Sequence, residues 1–267
     1  MPAVSSRIFA AIENKEISRE VINLKGFAIG NGLTDPAIQY GAYADYAFSE
    51  KLIPASLKAQ VDNNMYPSCK EKIEKCGGST PEVCMEALNS CENIVADVLG
   101  AAGNINVYDV RKQCTYPPLC YDFSRVGDYL NLPSTRRMLG VGNRKWQSCS
   151  SKVHQEMMAD WMVDIEPLIP TMLEAGVRVL IYAGDKDFIC NWMGNKRWTL
   201  AMPWAGQQSF NDAKETPFVV DGQDAGSFIH SGPLTFMRVY NAGHMVPMDQ
   251  PKAALEMISR FVNDKPF

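Results

Sequence analysis

Leu180-Ile181-Tyr182-Ala183-Gly184-Asp185-Lys186-Asp187-Phe188-Ile189-Cys190-Asn191 reads as a buried strand that stops at a glycine and carries two carboxylates and a thiol at its tip. Acidic groups at the carboxyl end of an apolar strand suggest a catalytic loop, because α/β sheets place their reacting groups there. The competing reading is a strand followed by an ordinary acidic turn, since Asp and Gly favour turns in any case.

Working outward, the flanking segments alternate in the same way. Val4, Ile8 and Ile12 have helical spacing over residues 4–15, and a strand follows from Leu24 to Ile29. It ends in Gly30-Asn31-Gly32-Leu33-Thr34-Asp35-Pro36, a turn rich in residues that tolerate positive φ. Before the central strand, a helix through Trp161 and Ile165 is expected to break at Pro167 and Pro170 and run on to Gly176. After it, residues 217–220, 226–230 and 234–240 read as strands separated by Asp221-Gly222 and Ser231-Gly232-Pro233. The last helix should bury Ala254, Leu255, Ile258, Phe261 and Val262 on one face, with Asp249 as its cap and Pro251 in its first turn.

Between about 37 and 150 no alternation of strands is sustained. Loops are expected at Gly77-Gly78-Ser79-Thr80-Pro81 and Gly100-Ala101-Ala102-Gly103, and five cysteines crowd positions 69, 76, 84, 91 and 114. This middle part therefore reads as a helical insertion stapled by disulfides. The division is 1–36 core, 37–150 insertion and 151–267 core, in an α/β fold.

Composition narrows the function classes. The 267 residues can bury a full core, and 46% hydrophobic with 21% charged is the balance of a soluble globular protein. A net charge of -4 provides no footprint for nucleic acid. No apolar run approaches the roughly 18 residues of a membrane span. Eight cysteines without a CxxC pair, and with the histidines elsewhere, point to disulfides rather than a metal centre. Disulfides imply an oxidising compartment, although Met1-Pro2-Ala3-Val4-Ser5-Ser6-Arg7 has no apolar region like that of a signal peptide.

There are three histidines. His154 falls on a helix and His230 at a strand end, positions that suit structural or exposed roles. His244 sits in a glycine-led loop after a strand and before a helix, where an imidazole is held by backbone yet free at its tip, as a general base requires. Asp187 occupies the same place after the neighbouring strand, and an Asp that orients an imidazole is the second half of a nucleophilic triad. Asp-before-His is the chain order of α/β-hydrolases, but no GxSxG occurs. Cys190 is a poor nucleophile candidate, because it lies three residues from its own orienting Asp and no elbow turn presents it.

Three motifs resemble the serine carboxypeptidase family. Ala183-Gly184-Asp185-Lys186-Asp187-Phe188-Ile189-Cys190-Asn191-Trp192 with Gly194-Asn195-Lys196 is similar to its Asp region, Gly243-His244-Met245-Val246-Pro247 to its His region, and Ile29 to Pro36 to the strand that follows its nucleophile. Val107-Tyr108-Asp109-Val110-Arg111-Lys112 resembles the carboxypeptidase Y branch and its plant relatives. The resemblance covers essentially the whole chain and implies the C-terminal portion of an α/β-hydrolase fold, with the catalytic serine just upstream of residue 1. It implies Asp187 as triad acid, with Asp185 as runner-up, and His244 as general base. Leu33, Tyr40, Tyr43, Trp161 and Ile189 would line the apolar acyl-side pocket, Cys190 would be a free thiol lining the substrate pocket, and Met245, Tyr108 and Tyr121 would fall on the leaving-group side. The implied bridges are Cys69–Cys91, Cys76–Cys84 and Cys114–Cys120, leaving Cys190 free and Cys149 without its partner.

The function so implied is release of C-terminal residues from peptides through a Ser-Asp-His triad, with no cofactor and no metal. This chain would be inactive by itself, because the serine and the oxyanion donors lie outside it. Its partners would be peptide substrates and the N-terminal segment of the same fold, with neither nucleic acid nor membrane involved and a dimer left open. The location would be the secretory pathway, ending in a vacuole, a lysosome or the exterior. The alternatives are a truncated product that binds peptide or a partner without catalysis, and a family acyltransferase.

Overall fold

The computed structural model describes residues 1–117 and 119–267. The chain opens with helix α1 (Pro2–Glu13) and strand β1 (Gly26–Gly30). Short helices α2 (Pro36–Tyr40), α3 (Tyr43–Ser49) and α4 (Ala55–Gln60) follow. A π-helical turn at Val61–Met65 leads into α5 (Tyr66–Cys76) and the long α6 (Pro81–Ala102). A two-stranded ribbon, β2 (Ile105–Asn106) with β3 (Asp109–Gln113), precedes α7 (Ser124–Asn131), α8 (Pro133–Met138) and α9 (Ser151–Met157). After α10 (Pro170–Glu174) come β4 (Arg178–Gly184), α11 (Trp192–Ala201) and α12 (Gln207–Asp212). Strands β5 (Thr216–Val220), β6 (Gln223–Ser231) and β7 (Leu234–Val239) and helices α13 (Val246–Asp249) and α14 (Pro251–Val262) complete it.

The main sheet has the order β1-β4-β7-β6-β5. β4 is parallel to both β1 and β7, which explains its unbroken apolar sequence: Val179, Leu180 and Ile181 are covered on both faces. β7, β6 and β5 are joined by hairpins and run antiparallel. At the β5–β6 turn both Asp221 and Gly222 have positive φ, the backbone of a tight two-residue hairpin. The fold is mixed α/β with a helical insertion between β1 and β4.

That insertion has its own apolar cluster. Helix α6 buries Cys84, Ala87, Leu88, Cys91, Ile94, Val95 and Val98, a stripe of helical spacing, against α3, α5 and the side chains of Met162 and Phe188. Cys69–Cys91 and Cys76–Cys84 tie α5 to α6, and Cys114–Cys120 closes a short loop. These are the pairs the family resemblance implies, and Cys149 and Cys190 are free thiols. The 22-residue span of Cys69–Cys91 is worth about 3 kcal/mol by loop-closure entropy.

Four local expectations are overturned in whole or in part. Asp249 does not cap α14: its N-cap is Gln250, without a side-chain bond, and the Asp249 carboxylate turns back to accept the Gly243 N–H at 2.8 Å. The buried face of α14 is Ala253, Ala254 and Met257, while Leu255 (69% exposed), Ile258 (39%) and Val262 (64%) face outward. Ala254 meets the expectation and Phe261 packs against the same cluster, so the buried stripe is shifted round the helix rather than reversed. Trp161 and Ile165 lie outside any α-helix: α9 ends at Met157 and only 3₁₀ turns follow up to Leu168, whereas the expected run from Pro170 toward Gly176 is present as α10. Gly100 to Ala102 are helical, and α6 stops at Gly103, whose φ is +78°.

Beneath the end of β1 lies a group of carboxyls. Ile165 donates its N–H to the Thr34 carbonyl, which brings the segment holding Asp164 and Glu166 against Asp35. Glu166 is 6% exposed, and its Oε1 has no hydrogen-bond partner among the described residues. Burial, then the charges of Asp164 and Asp35, push its pKa up to about 7. A carboxyl raised in the folded state favours folding while it is protonated, so its contribution is lost as pH rises from the unfolded value, about 4.3, toward 7. Glu166→Gln should therefore be more stable than the parent at pH 8, on the order of 1–3 kcal/mol, with the difference shrinking toward pH 5. Chemical denaturation of both proteins across that range checks this, and parallel pH profiles would contradict it.

Candidate active site

The register of the two central strands sets the site. Gly184, the last residue of β4, pairs with Val239, the last of β7, so both chains leave the sheet side by side at the same end. Asp187 comes three residues after one and His244 five after the other. The Nδ1 of His244 lies 3.0 Å from Oδ2 of Asp187. No room is left between the two loops: a Cβ on Gly184 would stand 2.3 Å from the carbonyl oxygens of Ala242 and Gly243, and one on Gly243 would stand 2.3 Å from that of Tyr108.

Asp187 is fully buried. Burial raises its pKa, opposed by the hydrogen bond and charge of His244 and by the N–H groups of Cys190 and Ile189. Its Oδ1 accepts the Cys190 N–H at 3.2 Å. With Nδ1 engaged by a carboxylate, the other imidazole nitrogen, Nε2, has no hydrogen bond among the described residues. The arrangement is that of an orienting acid and an imidazole free to take a proton.

A strap laid across both loops holds them together. The Val107 carbonyl accepts the N–H groups of Phe188 and Ile189 at 3.1 Å each, the Tyr108 carbonyl accepts that of His244 at 2.7 Å, and Val110 donates to the Lys186 carbonyl at 3.0 Å. On the other side, Asn31, in the left-handed region at φ 62°, donates Nδ2 to the His244 carbonyl at 3.0 Å. Asp185 is buried and lies 3.7 Å from Nη2 of Arg238; burial raises its pKa, and Lys186, Arg238 and the N–H groups of Ala242 and Asn241 counter that.

The residues expected to line a pocket divide into groups. Tyr43 donates its hydroxyl to the Ile189 carbonyl at 2.8 Å and packs its ring on Phe188 and Tyr40. Burial, then Cys190, Glu92 and Asp187, hold its phenol far above the usual range, so it stays a donor. Tyr40 donates to Glu92, and half-buried Leu33 packs on the same cluster. Cys190 is pushed well up by burial and then by the Asp187 charge, which keeps it a thiol and not a thiolate. Asp187, Cys190 and His244 offer ligand atoms within 4.8 Å of one another. Two of the three, Asp187 and His244, are already hydrogen-bonded to each other through Oδ2 and Nδ1.

The Tyr108 ring stands 5.0 Å from the His244 ring, and Tyr121 lies 5.8 Å beyond it, with a buried hydroxyl that has no partner among the described residues. Met245 is half-buried at the start of α13. Trp161 is exposed, edge-on to His154 at 5.2 Å. His230 is bonded to Thr235 in the β6–β7 hairpin, away from the loops. Sequence reading missed Asn31, Asp109, Arg111 and Asp249 as contributors. Of these, only the unusual Asp-Val-Arg-Lys run at 109–112 was a visible signal.

Similarity to known proteins agrees with this geometry. The family profile described as serine carboxypeptidase matches residues 1–264. Serine carboxypeptidase-like 48 of Arabidopsis thaliana is 48% identical over 99% of this chain and 52% of its own length. Serine carboxypeptidase 3 of Oryza sativa subsp. japonica is 49% identical with the same coverage. A serine carboxypeptidase-like protein of Pisum sativum is 47% identical over 98% of this chain and 90% of its own. This chain thus spans about half the length of the Arabidopsis and rice relatives. Among solved structures, Kex1(delta)p, a prohormone-processing carboxypeptidase from Saccharomyces cerevisiae, superposes with a TM-score of 0.81 at 26% identity, over 98% of this chain and 59% of that one. From its sequence profile, its relatives and its fold, the chain belongs to the serine carboxypeptidase family.

Proposed function

We propose that this chain supplies the acid and base of a serine carboxypeptidase, with the nucleophilic serine and the oxyanion donors contributed by a preceding segment of the same fold. The observation that carries the reading is the 3.0 Å bond between Asp187 and Nδ1 of His244, with Nε2 left unbonded at the ends of two parallel strands. Nε2 takes the proton of the serine hydroxyl as it attacks the scissile carbonyl, then returns it to the leaving amine. Asp187 stabilises the imidazolium formed between those steps and holds the tautomer with the proton on Nδ1. Tyr40, Tyr43, Leu33, Ile189 and Trp161 form the acyl side of the peptide site, Cys190 lines the substrate pocket as a free thiol, and Tyr108, Tyr121 and Met245 form the leaving-group side.

Two features support a complementing segment. Among the described residues the outer edge of β1 pairs with no strand, although Phe27 and Ile29 beside it are core residues. The relatives with half-length matches also have as much chain again to provide it. Three disulfides suit passage through the secretory pathway to a vacuole or the exterior, and no helix of the described residues is long and apolar enough to cross a membrane.

The chain by itself should not hydrolyse a blocked dipeptide. Assembly with the N-terminal half of a full-length relative should restore release of the C-terminal residue, and turnover by the unassembled chain would sink the proposal. In the assembled enzyme, Asp187→Asn is expected to lower kcat about 10⁴-fold and His244→Ala about 10⁶-fold. Activity retained in His244→Ala would remove it as the base. Cys190→Ser should abolish inhibition by an organomercurial if the thiol lines the site, and persistent inhibition would place the reactive thiol elsewhere.

A further inference from the structure

His244 lies five residues beyond the end of β7, outside the hydrogen-bond ladder that orders the sheet. A general base must nevertheless be held to within about 0.5 Å and 10–20° of its working position. Three bonds hold the main chain on either side of the imidazole: Gly243 N–H to Oδ2 of Asp249 at 2.8 Å, His244 N–H to the Tyr108 carbonyl at 2.7 Å, and Nδ2 of Asn31 to the His244 carbonyl at 3.0 Å. Two of these depend on one ionic cluster.

Asp109, in β3, is fully buried. Arg111 meets it with a two-pronged grip, Nε to Oδ1 and Nη2 to Oδ2 at 2.8 Å each, and Lys112 reaches Oδ2 at 2.8 Å. Burial works against the charge on Asp109, yet these bonds outweigh it and leave its pKa below the ordinary value. The same two cations face the other loop. Nη1 of Arg111 donates to the Asn241 carbonyl at 3.0 Å, its Nη2 lies 3.8 Å from Asp249, and Lys112 lies 3.5 Å from Oδ1 of Asp249. The order in space is therefore Asp109, then Arg111 with Lys112, then Asp249, then the Gly243 amide.

We infer that Asp109 and Asp249 are positioning residues for His244, and that through Arg111 and Lys112 they fix the strap and the imidazole loop in one register so that Nδ1 meets Asp187. A guanidinium fork on a carboxylate sets direction as well as distance. Burying such charges contributes little net stability compared with apolar packing, so their value lies in placement. Asp249 makes no cap bond to α14. Its buried oxygen serves the loop instead, and Gly243 has no side chain to push the strap away.

This inference rests on reading His244 as the base, but its test needs no turnover. The 267-residue chain is labelled with ¹⁵N-histidine, and with only three histidines the His244 ring is assigned through His154→Gln and His230→Gln. In the parent protein the neutral His244 ring should be held as the Nδ1–H tautomer. In Asp249→Ala and Arg111→Met that preference should be lost, with the other two rings unmoved, and Asp249→Asn, which keeps an acceptor oxygen, should restore it. Should Asp249→Ala fail to fold, Lys112→Met removes the half-exposed bridge with little packing loss and should shift the ring the same way. An unchanged tautomer in the folded variants overturns the inference. In the assembled enzyme, Asp249→Ala should lose at least tenfold in kcat with KM within twofold. The ring signal is read apart from the assay, so a failed peptidase reading and a failed positioning role give different results.

Discussion

The parallel pairing of β4 with β7, closed at Gly184 and Val239, is the constraint on which the rest of this structure depends. Parallel neighbours end at the same edge of the sheet, so whatever follows them is delivered side by side. Two residues 57 apart in the chain can then share a hydrogen bond. The closeness needs glycine at 184 and 243, because any side chain there would meet a carbonyl oxygen of the opposing backbone. One-residue slippage would misplace Asp187 and take Gly184 away from the Ala242 and Gly243 carbonyls, so the close backbone approach and the site geometry specify the same register.

Electrostatics divides the buried charges around the site by role. Asp187 is raised by burial and is countered chiefly by its bond to His244. Asp109 is lowered because two cations outweigh its burial. The first carboxylate is engaged by an imidazole, whereas the second is gripped by a guanidinium and an ammonium that favour its ionised form. Cys190, within reach of both Asp187 and Tyr43, is held as a thiol by the apolar surroundings and the adjacent carboxylate. Around the Asp187–His244 bond, Cys190 and Tyr43 are both pushed up by burial and by the charges beside them.

The helical insertion contributes more than a cover. Its strap at 107–110 supplies the carbonyls that receive Phe188, Ile189 and His244, and Tyr43 and Tyr46 send hydroxyls to the backbone of the Asp loop. Disulfides tie α5 to α6, and Val98, near the end of α6, belongs to the same apolar cluster as Phe188, so the stapled helices back the strap and the Asp loop together. The helices between β1 and β4 are therefore packed and hydrogen-bonded directly to the loops that carry Asp187 and His244.

Much of this was legible from the chain. The apolar run before Gly184 determined a buried strand, because burial on both faces leaves no polar position, and Asp221-Gly222 determined a hairpin, because few residues tolerate two positive φ values. The Asp and His motifs were visible as loops after strands, and motif resemblance matched the cysteine pairs found. Periodicity misplaced the buried stripe of α14, which is shifted round the helix, and failed around Trp161 and Ile165, where only 3₁₀ turns form. Asp249 looked like a helix cap because caps are local. Its actual partner, the Gly243 amide, lies on a loop folded back against it, and Arg111 lies 130 residues upstream of the Asn241 carbonyl that it holds. Local chemistry follows from neighbours in the chain and could be read from them; the placement of His244 arises from contacts between distant segments, so only the tertiary structure decided it.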